Sequence, residues 1–260
     1  LKIKTITQNP YKPFLTIFFD RLIELQHAMY RLSNILNNAI KDYPDDSRFS
    51  GSGLIISDIT GETDRGWEIN FHTGSTAITE GISFKNEVDR LILEECRYTV
   101  AQSFESLERL LKHLIFQKTV IDPSFVESYP AFKDIQRHQM PGGKKLIEIV
   151  SKSCRPLFNQ FSDKNNYGIR FSEFFKILLA VRCAIVHDES LIKRSEIFKS
   201  QEYQRIYNHF FTLSDPGAEK IEISLNQVQL AKLIKYIAQY GFQIFKMLSI
   251  KSKLDWSFPD

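Results

Sequence analysis

The densest concentration of chemically useful residues lies in Phe174-Phe175-Lys176-Ile177-Leu178-Leu179-Ala180-Val181-Arg182-Cys183-Ala184-Ile185-Val186-His187-Asp188. Its oddity is one arginine inside an apolar helix that ends on a histidine. A guanidinium stays charged at any ordinary pH and can stabilise a developing anion, while an imidazole exchanges a proton near neutrality. The carboxyl end of the helix dipole favours a charged His187 by about 0.3–1 kcal/mol. Buried without a partner, Arg182 would cost several kcal/mol, so either a carboxylate answers it or it lines a cavity. Glu105 and Glu108, on an upstream helix, are the candidate carboxylates. Five residues of α-helix give about 7.5 Å of rise and about 140° of rotation, so the pair from one helix does not converge on one group. Two copies crossing at a twofold axis would place each residue twice around a shared cleft.

Long helices must position this segment. Tyr11, Leu15, Phe18, Leu22, Leu25, Met29, Leu32, Leu36 and Ala39 alternate steps of four and three, a heptad stripe that predicts a long helix with a narrow seam. Leu93, Val100, Leu107 and Leu114, with Phe104 and Leu111 between, predict a second helix against which the first can lie within the same chain. Between them the Pro-, Asp- and Gly-rich stretch 42–53 ends the first helix, and the period changes to two. Leu54-Ile55-Ile56 and Trp67-Glu68-Ile69-Asn70-Phe71, joined by Thr60 to Gly66, read as a hairpin that should lean on the two helices. Helical periodicity resumes near 85–118, 143–161, 171–187, 200–212 and 226–248, with a short alternating strand at Lys220–Leu225.

Arg182 and His187, four residues between them, resemble the RxxxxH motif of HEPN (higher eukaryotes and prokaryotes nucleotide-binding) domains. The helix Tyr98 to Leu111 is similar to that family's leading core helix, and the run from Lys220 through Leu248 to its closing element. The resemblance spans roughly residues 83–250 and implies an all-helical, metal-independent endoribonuclease that works as a homodimer. Arg182 and His187 would then be catalytic, with Cys183, Asp188 and Glu108 in support. It also implies a toxin or phage-defence effector, with an antitoxin or regulatory protein as partner. Metal-free RNA cleavage needs a base for the 2′-hydroxyl, an acid for the leaving oxygen and a cation for the phosphorane. Active members usually carry Asn, Asp or His directly after the arginine; here Cys183, a weak hydrogen-bond partner, stands there. In the family the spacer varies from four to six residues, so Arg21/His27 and Arg65/His72 fit too, but they lie on a charged helix face and in the hairpin.

Residues 141–170 carry six basic and two acidic side chains, a local excess larger than the chain's net +3. Leu146, Ile147, Val150 and Cys154 form an apolar face that leaves Lys144, Lys145, Lys152 and Arg155 as candidate nucleic-acid contacts. The acidic group Asp45, Asp46, Asp58, Glu62 and Asp64 lacks a calcium-loop spacing. No P-loop, zinc-protease or serine-hydrolase motif appears, so neither metal nor cofactor is expected. Cys96, Cys154 and Cys183 are odd in number and widely spaced, which predicts reduced thiols and a cytoplasmic location. No apolar run reaches the roughly 18 residues of a membrane span, and Leu1 to Lys4 show no apolar signal region. With 260 residues, 43% hydrophobic, disordered and fibrous classes are excluded.

The expected architecture is mainly α: an N-terminal long helix with a small hairpin over 1–80, a HEPN-like helical bundle over 83–250, and a tail over 251–260. Three functions stay open. They are the dimeric endoribonuclease, a non-catalytic HEPN-like module binding nucleic acid, nucleotide or a protein, and a helical scaffold that dimerises through the N-terminal heptads.

Overall fold

A computed structural model describes residues 9–42, 49–57, 70–162, 165, 168–213 and 217–257. The chain divides into two compact units, residues 1–30 with 95–260, and residues 31–94. It is mainly helical with a small antiparallel two-stranded hairpin. Its helices are α1 (Lys12–Ala39), α2 (Gly81–Ile121), α3 (Pro123–Ser128), α4 (Gly143–Cys154), α5 (Leu157–Ser162), α6 (Phe171–His187), α7 (Arg194–Ile197), α8 (Gln201–Phe210) and α9 (Gln227–Lys251). The strands are β1 (Phe49–Ser57), β2 (Asn70–Glu80), β3 (Leu191–Lys193), β4 (Thr212–Leu213) and β5 (Lys220–Ser224).

In the larger unit the heptad stripe of α1 is buried from Tyr11 through Leu15, Phe18, Leu22, Leu25 and Met29. It meets α2, where Phe14 stacks at 4.6 Å on His113 and Arg21 donates to Gln102 at 2.8 Å. The pairing is therefore within the chain. Facing positions Val100, Phe104, Leu107, Leu111 and Leu114 of α2 are fully buried. Helix α9 closes the same core and comes closest at Gly241. A Cβ there would stand 2.5 Å from a Phe18 ring carbon and 2.9 Å from Leu110. Asn226 and Gln229 start α9 with a reciprocal capping box, each side chain accepting from the other's backbone N–H at 2.9 Å. Asn9 ties the start of α1 to the end of α9, its amide donating to Ser249 at 2.9 Å and to the Asp255 carbonyl at 2.7 Å.

Strands β3, β5 and β4 form a small antiparallel sheet with β5 at its centre. One buried arginine holds that sheet to α2. Arg97, only 3% exposed, donates from Nε to the Ile223 carbonyl at 2.7 Å and pairs with Glu222 at 2.5 Å. Buried Ile221 and Ile223 point the other face of β5 into the core, so the alternation of Lys220–Ser224 is that of a half-buried strand.

In the smaller unit β1 and β2 pair over Phe49–Ser57 and Asn70–Glu80, with a register shift between Gly53 and Ile55. The hairpin expected from the period-two pattern is present and runs on to Glu80; Trp67–Ile69 and the connecting Thr60–Gly66 lie outside the described residues. The apolar side chains of the hairpin stay uncovered. Leu54, Ile55, Ile56 and Ile78 are all at least half exposed. Its Ser-, Thr- and Gly-rich strands offer too few apolar side chains for a packed face to form.

Gly241→Ala should lower stability despite a helix-propensity gain of about 1 kcal/mol, because overpacking costs about 1–3 kcal/mol. A urea midpoint at or above wild type would contradict the close approach of Phe18. Arg97→Met keeps the volume but leaves the Ile223 carbonyl unanswered, and should cost about 1–3 kcal/mol in the same assay.

Candidate functional site

Helix α6 buries Phe171, Phe174, Phe175, Leu178, Val181 and Ile185 on one face. Phe174 sits among Phe210, Tyr236 and Tyr240, and Phe175 meets Phe104 of α2. This packing sets the rotation of α6 and brings Arg182 to the edge of its buried face. Its guanidinium, 28% exposed, pairs with Glu105 at 2.9 Å. Of the two candidate carboxylates, Glu105 is the partner. The Glu105 hydrogen bond raises the Arg182 pKa above its ordinary value, against a smaller opposing effect of burial. With Glu105 49% exposed, the pair contributes no more than about 1 kcal/mol.

Glu108 is engaged elsewhere. It pairs with Lys112 at 3.0 Å, and both lie against Gly142, where any Cβ would collide with the Glu108 carboxylate. Glu108 thus supports the Pro141-Gly142-Gly143 break from which α4 starts, while Gly143 takes the left-handed φ of 58° that a glycine accepts without strain.

His187 is the last residue of α6, exposed, and its imidazole has no hydrogen-bond partner among the described residues. The turn after it is tightly built. Asp188 and Ser190 both donate backbone N–H groups to the Ala184 carbonyl at 3.0 Å, and Leu191 donates to Asp188 at 2.8 Å. Glu189 and Ser190 are held at φ values of 52° and 64°, two consecutive non-glycine residues in the left-handed region. The Ser190 carbonyl accepts from Ile223 at 2.9 Å, which fastens this turn to β5. The end of α6 is therefore positioned through β5 and Arg97. Nothing in the local sequence of Glu189 or Ser190 signals the strained turn.

Beside α6 lies a cavity of about 760 Å³, walled by α4, α6 and the segment from β3 to α8, with Lys220 at its margin. Three of the four residues expected to meet nucleic acid, Lys144, Lys152 and Arg155, line it; Lys145 does not. Cys183 and Asp188 line it as well, whereas Arg182 and His187 do not. The structure thus brings the basic segment of α4 to the motif helix. It adds Lys176, Lys193, Lys199 and Lys220, which sequence reasoning missed because they converge only through the fold. Lys164 and the acidic group Asp45, Asp46, Asp58, Glu62 and Asp64 lie outside the described residues. Arg65 does too, while His72 on β2 accepts from the Gly74 backbone at 3.0 Å and Arg21 is an exposed α1 residue. Among the described residues no group of three His, Cys, Asp or Glu is placed to hold a metal ion, and no helix is long and apolar enough to cross a membrane.

All three cysteines are free thiols. Burial pushes the Cys96 thiol up to about 11 and the Cys154 thiol up to about 12, so both are uncharged and shielded at neutral pH. Only Cys183 is partly exposed. In the native protein at pH 8, an aromatic disulfide reagent should titrate one thiol, and Cys183→Ser should abolish that reaction; rapid reaction of two or three thiols would contradict the packing around Cys96 and Cys154. Set against protein-family models, curated proteins and solved structures, the chain matches none.

Proposed function

We propose that this chain is a metal-independent endoribonuclease of HEPN type, acting as a homodimer through a composite site built from Arg182 and His187 of two α6 helices. The observation that carries the reading is the state of this pair on a rigidly anchored helix end. The His187 side chain is exposed and unengaged among the described residues, and Arg182 is held by the exposed Glu105 and by a weaker contact with Cys183. A phosphate can displace that carboxylate at little cost. Val186, 47% exposed beside His187, offers an apolar contact to a second copy.

In the proposed reaction one His187 accepts the 2′-hydroxyl proton as the 2′-oxygen attacks phosphorus. The other His187 protonates the 5′-oxygen as the P–O5′ bond breaks, leaving a 2′,3′-cyclic phosphate and a 5′-hydroxyl. The two Arg182 guanidiniums stabilise the phosphorane, whose extra negative charge exists only at that stage. Lys144, Lys145, Lys152 and Arg155 of the α4 segment would meet the RNA backbone. The toxin or phage-defence role, with a regulatory protein partner, belongs to the same proposal.

A second reading, a HEPN-like module that binds without cleaving, is favoured by Cys183. The side chain that follows Arg182 lines the cavity and is a weak hydrogen-bond partner for a catalytic residue.

Cleavage of a mixed RNA pool in EDTA separates the two. Wild type should yield 2′,3′-cyclic phosphate ends, and His187→Ala and Arg182→Ala should each reduce the rate by about 10²-fold or more with fold and dimer intact. Full activity in either variant overturns the assignment, and an inactive, folded wild type moves the reading to the binding module.

A further inference from the structure

The hairpin of the smaller unit leaves long strand edges unpaired. Strands β1 and β2 pair only with each other among the described residues, so each has one occupied edge and one open edge. A lone ribbon of two strands is marginal in water until further strands or an apolar layer join it. The side chains of this ribbon meet no such layer, and Ile55 and Ile78 are both more than half exposed.

The two edges differ. Gly53 and Ile55 of β1 face Thr76 and His72 of β2, so two steps on one strand oppose four on the other and the surplus bulges out of β2. Gly74 takes a left-handed φ of 80° in that bulge, and Thr73 donates its hydroxyl to the Leu54 carbonyl at 2.9 Å. Bulges, charged side chains and proline are the usual means by which an edge is kept from pairing. β2 has the first of these. From Gly51 to Ile56, β1 has none of them. Its middle, Leu54-Ile55-Ile56, presents exposed apolar side chains to both faces, since successive residues of a strand point opposite ways.

We infer that β1 pairs antiparallel with β1 of a second copy, joining two hairpins into one four-stranded sheet with its twofold axis at Ile55. A second β1 fits this edge because it is equally free of charge over the same stretch, so no ionised group is left opposite an apolar one. An axis at Ile55 sets Ile55 against its own copy and Leu54 against Ile56 twice, which matches all three apolar residues; moving the axis puts Gly53 or Ser52 opposite one of them. Main-chain hydrogen bonds along the strand supply the affinity. The outer edges of the joined sheet are then the bulged β2 strands, so pairing stops at two copies. This contact belongs to the smaller unit and stands whether or not Arg182 and His187 cleave RNA.

Disulfide trapping in the full chain tests both the partner and the register, with Cys183→Ser as background and each variant checked for a wild-type circular dichroism spectrum. Directly opposed residues stand within disulfide reach, so mild oxidation should link two copies of Ile55→Cys. Linking should be at least about tenfold faster than for Ser52→Cys, whose two copies would lie about 20 Å apart along the strands. In the Ile55→Cys chain, Leu54→Lys with Ile56→Lys sets like charges opposite each other and should slow linking by about tenfold or more, whereas Leu54→Lys with Ile56→Glu should restore it. His187→Ala should leave these rates unchanged. Linking at residue 55 no faster than at residue 52 would overturn the inference, as would equal rates in the two charged double variants. No linking at all, the result if a strand of another protein takes this edge, would overturn it too.

Discussion

The end of α6 depends on one buried guanidinium. Arg97 anchors the central strand β5 to α2 through the Ile223 carbonyl and the Glu222 carboxylate. A charge in that setting is tolerated only when hydrogen bonds answer it, so β5 has little freedom to shift along the helix. Strand β3 pairs with β5, and the left-handed turn at Glu189 and Ser190 joins β3 to α6. The position of His187 and Asp188 is thus relayed from α2 through a strand and a strained turn, while the aromatic cluster around Phe174 sets the rotation of the helix.

Arg97 and Arg182, both in the larger unit, contrast in their settings, and the contrast separates structural from available charge. Arg97 is enclosed and committed to a carbonyl and a carboxylate. Arg182 faces a half-exposed carboxylate through a pair that water and salt can screen. The lysines around the cavity go further, having no carboxylate partner among the described residues. Charge availability therefore increases from the sheet anchor, through the motif helix, to the cavity.

Much of the fold was legible in the sequence because it depends on periodic burial. The heptad positions Tyr11 to Met29 are buried as their spacing requires, and α6 spans the expected 171–187. The alternation at Lys220–Leu225 is strand β5, and the period-two segments form the hairpin. Strands β3 and β4, three and two residues long, are too short to show a period. Arg97 stands between buried Cys96 and exposed Tyr98 with no local sign that its guanidinium is enclosed. The spacing of Glu105 and Glu108 left the partner of Arg182 open; the choice follows from Glu108 being drawn to Lys112 beside Gly142. The cavity was legible only on its α4 side, since Lys193, Lys199 and Lys220 reach it through tertiary packing.

The central proposal, one composite site shared by two chains, is tested most directly by mixing subunits. Wild type is allowed to exchange with a tenfold excess of His187→Ala, and RNA cleavage is followed in EDTA. If both histidines of a dimer take part, activity per wild-type chain should fall about tenfold, because most wild-type chains then sit opposite an inactive partner. Activity that stays proportional to the wild-type chains, whatever the excess of variant, would place the whole reaction within one chain and contradict the account.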